Sequence, residues 1–532
     1  MRPEGLAETA HEGHPRRWAI LAVLILSEFV VELDSTIVNI ALPDIAADLN
    51  ASASTLQWVV DAYILTLVGL LLLSGALGDR WGYRRVLFAG LGLFGAAAVV
   101  ASVATSADVL IGARALMGVG GALILPTTLA SITHVFSAEE RARALSIWAA
   151  TAGLSFVLGP VLGGALVDAS GWPAVFLVNL PIVGLAFVGV ALLVPRGGNS
   201  VRSAPDLVGA ALSTGGLGFL VFAIVEAPKH GWTAAGTLAE LAVAVLFLAA
   251  FVTWEARTSS PMLDLGLFRS VRFSASAAAA VLTFVAIGGM LFVLTQVLQD
   301  VQGHSALGAG LRLLPVAGVL ILVSPVSVVL AARFGTKVPV GIGLAVLAVG
   351  FAILTSVDTG TDYTNIAVAL VVAGAGYGLA FTPIIDTMTV ESSLSRVGAT
   401  FGLSNAVIMT GLALGVAVIG SIVSTRYGDV LGPVAQLSRD DADAVRESIG
   451  QAVALGRSLP APGSDALIAS ARDAFVNAAA VGFAVSAGIA AAGAVVAAAF
   501  LPSRRRPQEA VPAAVAQSGP AREAERAVAT DA

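Results

Sequence analysis

The stretch Gly75-Ala76-Leu77-Gly78-Asp79-Arg80-Trp81-Gly82-Tyr83-Arg84-Arg85 decides the fold. An acid and three arginines sit here between two apolar runs of about twenty residues, so the charges fall between hydrophobic segments long enough to cross a bilayer. The centre of the stretch recurs. Basic-aromatic-Gly-x-basic stands at Arg80–Arg84 and again at Arg333-Phe334-Gly335-Thr336-Lys337, 253 residues later. A second pair, Arg141-Ala142-Arg143-Ala144-Leu145 and Arg396-Val397-Gly398-Ala399-Thr400, is offset by 255 residues. Two matches at nearly one spacing mark an internal repeat. Parallel repeats of six spans around a midplane cavity are a transporter architecture.

Composition agrees. The 532 residues are 57% hydrophobic and 12% charged, with a mean hydropathy of +0.89. Soluble domains carry about 25% charged residues. Fourteen apolar segments, from 18–42 to 475–501, predict an all-α membrane protein with 14 transmembrane helices. The expected organisation is a cytoplasmic segment 1–17, a six-helix bundle 18–200, two inserted helices and linkers 201–272, a second six-helix bundle 273–502, and a disordered tail 503–532. Residues 426–474 read as a long outer loop, with Ser438–Leu455 as an amphipathic helix capped by Ser438.

Charge placement sets the orientation. With the N-terminus in the cytoplasm, short inner segments hold eighteen arginines and lysines, from Arg16 to Arg506, while short outer loops hold only Lys229. This bias places both termini in the cytoplasm. No short cleavable signal precedes the first apolar run, so the first helix is expected to stay in the mature protein. The absence of cysteine removes disulfides and thiolate chemistry. No nucleotide-binding loop, no metal cluster among five scattered histidines and no Ser/His/Asp arrangement stands out. Those absences disfavour a pump driven by ATP, a membrane enzyme and a receptor, and the reading carries no cofactor, no metal, no nucleic acid and no oligomer.

The first span carries Glu28, Glu32 and Asp34. An ionised side chain in hydrocarbon costs several kcal/mol, and such residues mark functional sites. At 1.5 Å per residue, Asp34 lies ~6 Å outward of the midplane, Asp61 on the second span roughly 7 Å, and Arg114 on the fourth about 9 Å. The three are expected to form one constellation in the outer half of the first bundle. Glu28 and Glu32 share one face; Asp34 points roughly 160–200° away from Glu32. Either the glutamates face the cavity and Asp34 packs on a neighbouring helix, or the reverse. A carboxyl in a low-dielectric cavity can exchange a proton for an incoming cation, the simplest chemistry of an antiporter. The competing readings are a static ion pair for Asp34 with Arg114, a wetted helix start for Asp61, and hydrogen-bonded neutral acids for the glutamates.

At this point the chain resembles the major facilitator superfamily, in its fourteen-helix drug:proton antiporter branch. Gly75-x-Leu77-x-Asp79-Arg80-x-Gly82-x-Arg84-Arg85 matches the superfamily's loop signature in full. Arg114-Ala115-Leu116-Met117-Gly118-Val119-Gly120-Gly121-Ala122 matches the fourth-helix motif, and Gly159-Pro160-x-x-Gly163-Gly164 the antiporter motif of the fifth. Leu33-Asp34-x-Thr36-Ile37-Val38-Asn39-Ile40-Ala41-Leu42-Pro43 is similar to the branch's first-helix signature. Gln57-Trp58-Val59-Val60-Asp61-Ala62-Tyr63 is similar to members that export quaternary ammonium compounds. Glu28 and Glu32 lie outside that pattern, and Ser146 and Ser155 stand where the fifth-helix motif usually has glycine.

The resemblance implies proton-driven export of amphipathic, cationic drugs or dyes across the cytoplasmic membrane of a bacterium, one of GC-rich genome by its Ala/Gly/Val/Arg bias. It implies a latch between halves from Gly75, Asp79, Arg80, Gly82, Arg84, Arg85 and Arg141, and a leak-blocking hinge from Gly153, Gly159, Pro160, Gly163 and Gly164. Small residues there also let helices pack closely. Trp58, Tyr63, Trp148, Phe156, Phe292, Gln296 and Asn405 are candidate drug contacts, because aromatic faces attract organic cations; each taken singly reads first as packing. A dedicated exporter of one natural product, or of a lipid, would use the same motifs.

Overall fold

The computed structural model describes residues 14–195, 206–258, 261, 265–390, 397–432, 437–458, 463–501 and 503. Within its helices the side chains of Asp79, Arg141, Ser146, Gly153, Phe156 and Asn405 fall outside what is described. The described residues are helical throughout, without a strand.

The first half runs α1 (Arg17–Leu49), α2 (Ala53–Trp81), α3 (Tyr83–Ser102), α4 (Ala107–Val135), α5 (Ala138–Ser170), α6 (Ala174–Leu177) and α7 (Asn179–Leu193). Then come α8 (Leu207–His230) and α9 (Ala235–Glu255). The second half is α10 (Val271–Gln296), continued by a π-turn over Val297–Val301, α11 (Ala306–Phe334), α12 (Lys337–Leu354), α13 (Tyr363–Val390), α14 (Val397–Val430), α15 (Arg439–Glu447), α16 (Ile449–Ser458) and α17 (Gly463–Phe500).

Local chemistry explains the punctuation. Ser52, Ser106 and Ser305 accept the backbone N–H groups of Thr55, Val109 and Gly308, as N-caps do. The repeated basic-aromatic-Gly motif is a helix stop. Gly82 ends α2 at φ +89° and Gly335 ends α11 at φ +77°, a backbone region that penalises any Cβ.

Among the described residues twelve helices, counting α6 and α7 as one, are long and apolar enough to cross a membrane, so the chain is a multi-pass membrane protein. The other two expected spans are α1 and α5, each 33 residues. The first carries the acids, and within the second the described residues give a shorter apolar helix at Leu158–Ser170. The long outer loop is shorter than its expected 426–474, because α14 runs on to Val430 and α17 starts at Gly463. Helical hydrogen bonding does not stop at the hydrocarbon edge. The amphipathic helix begins on the Ser438 cap, whose Oγ accepts from Asp441 N at 3.1 Å, but breaks at Ser448 into α15 and α16.

The packing repeats as the sequence does. In the first half α2 and α3 both pack on α4, and α1 on α5; in the second α11 and α12 both pack on α13, and α10 on α14. The halves meet through α5 on α11 and α2 on α14, a pair of contacts that the repeat interchanges. The inserted α8 pairs with α9 and covers the α2–α14 seam from the side.

Candidate functional site

The site is built on α1. Asp34 is fully buried and faces into the first half. Its Oδ2 accepts from Arg114 Nη1, and its Oδ1 from Asn179 Nδ2 at 3.0 Å. Arg114 also donates Nε to the Val59 carbonyl at 2.9 Å and lies over the Tyr63 ring, 4.3 Å from the centroid. Tyr63 in turn donates its hydroxyl to the Val31 carbonyl at 2.7 Å. One ion pair thus ties α1, α2, α4 and α7. A buried charge is tolerated only with such a shell.

Asp61 is not part of that constellation. It is equally buried, but both its carboxylate oxygens lack a hydrogen-bond partner among the described residues. The depth arithmetic gave its level; it could not give its azimuth. Asp61 shares a helix face with Gln57, Ile64 and Val68. Gln57 packs its amide against Gly420 of α14, and Ile64 and Val68 line a small cavity with Leu217 of α8 and Thr410 of α14. Asp61 therefore faces the seam between halves. The amide of Gln57, one turn away, is also unpartnered.

The structure answers the orientation of the three α1 acids. Asp34 packs inward, and the glutamates take the other face. Glu28 is 1% exposed, with Oε2 unpartnered. Glu32 is half-buried and lies on the stripe that continues through Thr36 and Asn39. Thr36 and Asn39 line a cleft of about 420 Å³ with Leu291 and Thr295 of α10 and Leu313 and Ala317 of α11.

Toward the C-terminal end of α1 the halves interlock. Gly159 and Gly163 of α5 press on Thr36 and Ile37 of α1, while Gly164 meets the backbone of Ala306 and Leu307 at the start of α11. Gly310 of α11 meets the Pro160 carbonyl. Asp168 Oδ2 accepts from Leu307 N at 3.2 Å, and Gln299 Nε2 donates to the Ile40 carbonyl at 2.9 Å, both across the seam. Gly450 of α16 rests on Ala46 of α1 above them. The antiporter motif is thus a three-helix junction joining both halves.

Of the latch set, Arg80 and Arg85 are exposed, and Gly75 makes only an ordinary contact with Pro126. Arg84 donates to the Ala191 carbonyl of α7 at 2.7 Å, within the first half. Asp79 and Arg141 lie outside the described side chains, as does Gly153 of the hinge. At the N-terminal end of α1, Arg17 instead forms a two-bond pair with Glu140, and Arg143 lies over Trp18, 5.2 Å from the ring centroid.

Most candidate drug contacts are engaged elsewhere. Trp58 stacks on Phe222 of α8 at 6.0 Å. Tyr63 belongs to the Arg114 network, and Trp148 donates Nε1 to Thr128 Oγ1 at 3.2 Å. Phe292 is buried beside Gly420, and Gln296 donates to the Phe292 carbonyl at 3.1 Å. Phe156 and Asn405 lie outside the described side chains. Sequence reading missed Asn179, although an asparagine in an apolar run is itself a signal. It also missed Asp168 and Gln299, which carry no motif.

The chain belongs to the Major Facilitator Superfamily, whose family model matches residues 24–416. It is 37% identical over 461 residues to the multidrug efflux pump LfrA of Mycolicibacterium smegmatis, covering 86% of this chain and 91% of the relative. It is 34% identical to the tetracenomycin C resistance and export protein of Streptomyces glaucescens, over 80% of each. It is 30% identical to the methyl viologen resistance protein SmvA of Salmonella typhimurium, over 87% and 93%. Among solved structures, a bacterial homologue of the lysosomal transporter Spinster aligns with a TM-score of 0.65 at 18% identity, covering 93% of this chain and 99% of that one.

Proposed function

We propose that this protein is a proton-coupled antiporter that exports amphipathic, cationic drugs or dyes across the cytoplasmic membrane by alternating access. The proposal includes fourteen spans, with α1 and α5 making up the count. It places both termini in the cytoplasm, in two six-helix domains at 18–200 and 273–502 joined by the inserted pair. The proton gradient is the energy source, one chain suffices, and lipid is the only other partner.

The division of labour on α1 carries the reading. Asp34 sits in an ion-pair network inside the first half, while Glu32, two residues earlier, lies on the α1 stripe whose Thr36 and Asn39 line the cleft with α10 and α11. A proton taken up by Asp34 cancels its pull on Arg114 and loosens α1 from α4 and α7. The same helix carries the carboxylates that meet a cationic substrate. Protonation and substrate binding then bias one rigid element, which is what reciprocal coupling requires. Asp61, on the seam, adds negative character for cations. The outer interlock of α5 and α11 excludes water while the path inward is in use. The similarity to LfrA and SmvA, whose names speak of multidrug efflux and methyl viologen resistance, supports drug export.

The test is dye movement into inverted vesicles under an imposed pH gradient, comparing wild type with Asp34→Asn and Glu32→Gln. Gradient-driven ethidium uptake that stops with Asp34→Asn is expected; normal uptake in that variant would sink the coupling role. Similarity to the tetracenomycin C exporter and to a probable actinorhodin transporter of Streptomyces coelicolor favours a second reading, a dedicated exporter of an aromatic natural product. Intact wild-type vesicles that move no dye would favour it.

A further inference from the structure

Among the described residues the Glu32 carboxylate enters no hydrogen bond or ion pair, and Ser35 Oγ donates only to the Glu32 backbone carbonyl. What it faces lies across the seam. The stripe Glu32–Thr36–Asn39 on α1 and the stripe Phe284–Leu291–Thr295 on α10 each run at i, i+4, i+7 or i+11, so each keeps one face. Thr36, Asn39, Leu291 and Thr295 line the same cleft. Continuing both stripes inward brings Glu32 and then Glu28 to the level of Phe284.

There the second half presents three rings. Phe284 of α10 and Tyr377 of α13 meet edge to face at 5.9 Å, Phe284 and Phe381 at 6.0 Å, and Tyr377 and Phe381 at 5.3 Å. The orientation of α13 is fixed by its glycines. Gly376 packs on α12, and Gly374 and Gly378 pack on α11. That leaves Tyr377 and Phe381, four residues apart, on the remaining face with α10. Phe381 is only half-buried.

We infer that Glu32 and the ring cluster Phe284–Tyr377–Phe381 form the two walls of a subsite for planar aromatic monocations. The inference rests on the exporter reading and deepens it by naming the substrate class. A delocalised cation takes its countercharge from α1 and its ring contacts from α10 and α13. Neither half holds both. A flat cation therefore binds best when the walls approach, and its binding energy favours that approach. An aliphatic or neutral drug gains less, because it lacks the stacking face or the charge.

The test is ethidium binding to the purified full-length protein in detergent, read by fluorescence anisotropy. Glu32→Gln, Tyr377→Leu and Phe381→Leu should each weaken binding about fivefold to thirtyfold. Tyr377→Phe keeps the ring and should stay within about twofold of wild type, as should Phe219→Leu, which removes a ring from the α8–α9 pair. If a leucine variant fails to fold, Glu32→Gln and Tyr377→Phe still report on the two walls. Wild-type affinity in the leucine variants, an equal loss with Phe219→Leu, or a loss with Tyr377→Phe as large as with Tyr377→Leu would overturn the subsite. Vesicles that move ethidium while the ring variants bind it normally would sink the subsite alone. Wild-type protein that neither binds nor moves ethidium would sink the cation-exporter reading with it.

Discussion

In the proposed orientation, Gly310→Ala should jam the outer side of the transporter open. A Cβ at position 310 would stand 2.1 Å from the Pro160 carbonyl oxygen and 2.7 Å from its carbon. Ordinary C···O contacts lie near ~3.3 Å, so α11 and α5 would have to part by about 1 Å. Both obstacles are backbone, and neither can rotate away. Overpacking of this kind costs about 1–3 kcal/mol. The cost falls only on the state in which α5 and α11 touch, so it shifts the equilibrium toward outer opening by about fivefold to 150-fold. The chain has no cysteine, so a single Asn39→Cys in the cleft reports access directly. Its labelling by a membrane-impermeant maleimide added from outside should accelerate in Gly310→Ala. Gly318→Ala is the control on the same helix, because nothing lies within 4 Å of its added Cβ. Unchanged labelling in a folded Gly310→Ala protein, or equal acceleration in the control, would refute the argument that this contact closes the outer side.

Three further outcomes are expected. Asp34→Asn leaves the Arg114 charge buried without a countercharge, beside the Val59 carbonyl and the Tyr63 ring. Unfolding in detergent should ease by about 3–5 kcal/mol, and an Asp34→Asn/Arg114→Met pair should recover part of that loss; additive losses would mean the two residues do not interact. Asp61→Asn removes an unpartnered buried carboxyl, so its melting temperature should hold or rise while ethidium export falls; a protein melting several degrees lower, with cationic and neutral drugs lost equally, would contradict a cation-binding role. The Arg17 hydrogen bonds hold Glu140 below its ordinary value of 4.5. The pair's small stabilisation is therefore present above that value and lost as pH falls through the lowered one. Glu140→Gln should flatten the acid side of the thermal-stability profile, and a profile identical to wild type would show the pair contributes nothing.

The helices and the repeat could be read from one dimension. Apolar runs long enough for a bilayer, Arg80 and Arg333 at matching places, and glycines where a helix must turn out at positive φ are local properties. So was the presence of acids in α1, since carboxyl groups in an apolar run stand out by cost alone. Depth was legible too, because rise per residue is fixed. Azimuth was not. Asp34, Asp61 and Arg114 share a level, yet only Asp34 and Arg114 meet, because the α2 face bearing Asp61 turns to α14 rather than α1. The same holds for the aromatic residues. Trp58 faces the inserted α8, Tyr63 lies beneath Arg114, and the three-ring cluster of Phe284, Tyr377 and Phe381 belongs to α10 and α13.

By itself, then, the sequence determined the class of architecture, the repeat, the family and the identity of the costly residues, because these follow from hydropathy, backbone strain and charge. Only the tertiary structure decided that Asp34 is paired with Arg114 and Asn179, that Thr36 and Asn39 line a cleft with the opposite half, and that Gly310 rests on the Pro160 carbonyl. Those depend on how helices far apart in the chain rotate about their axes, which is fixed by the small residues that let their backbones meet.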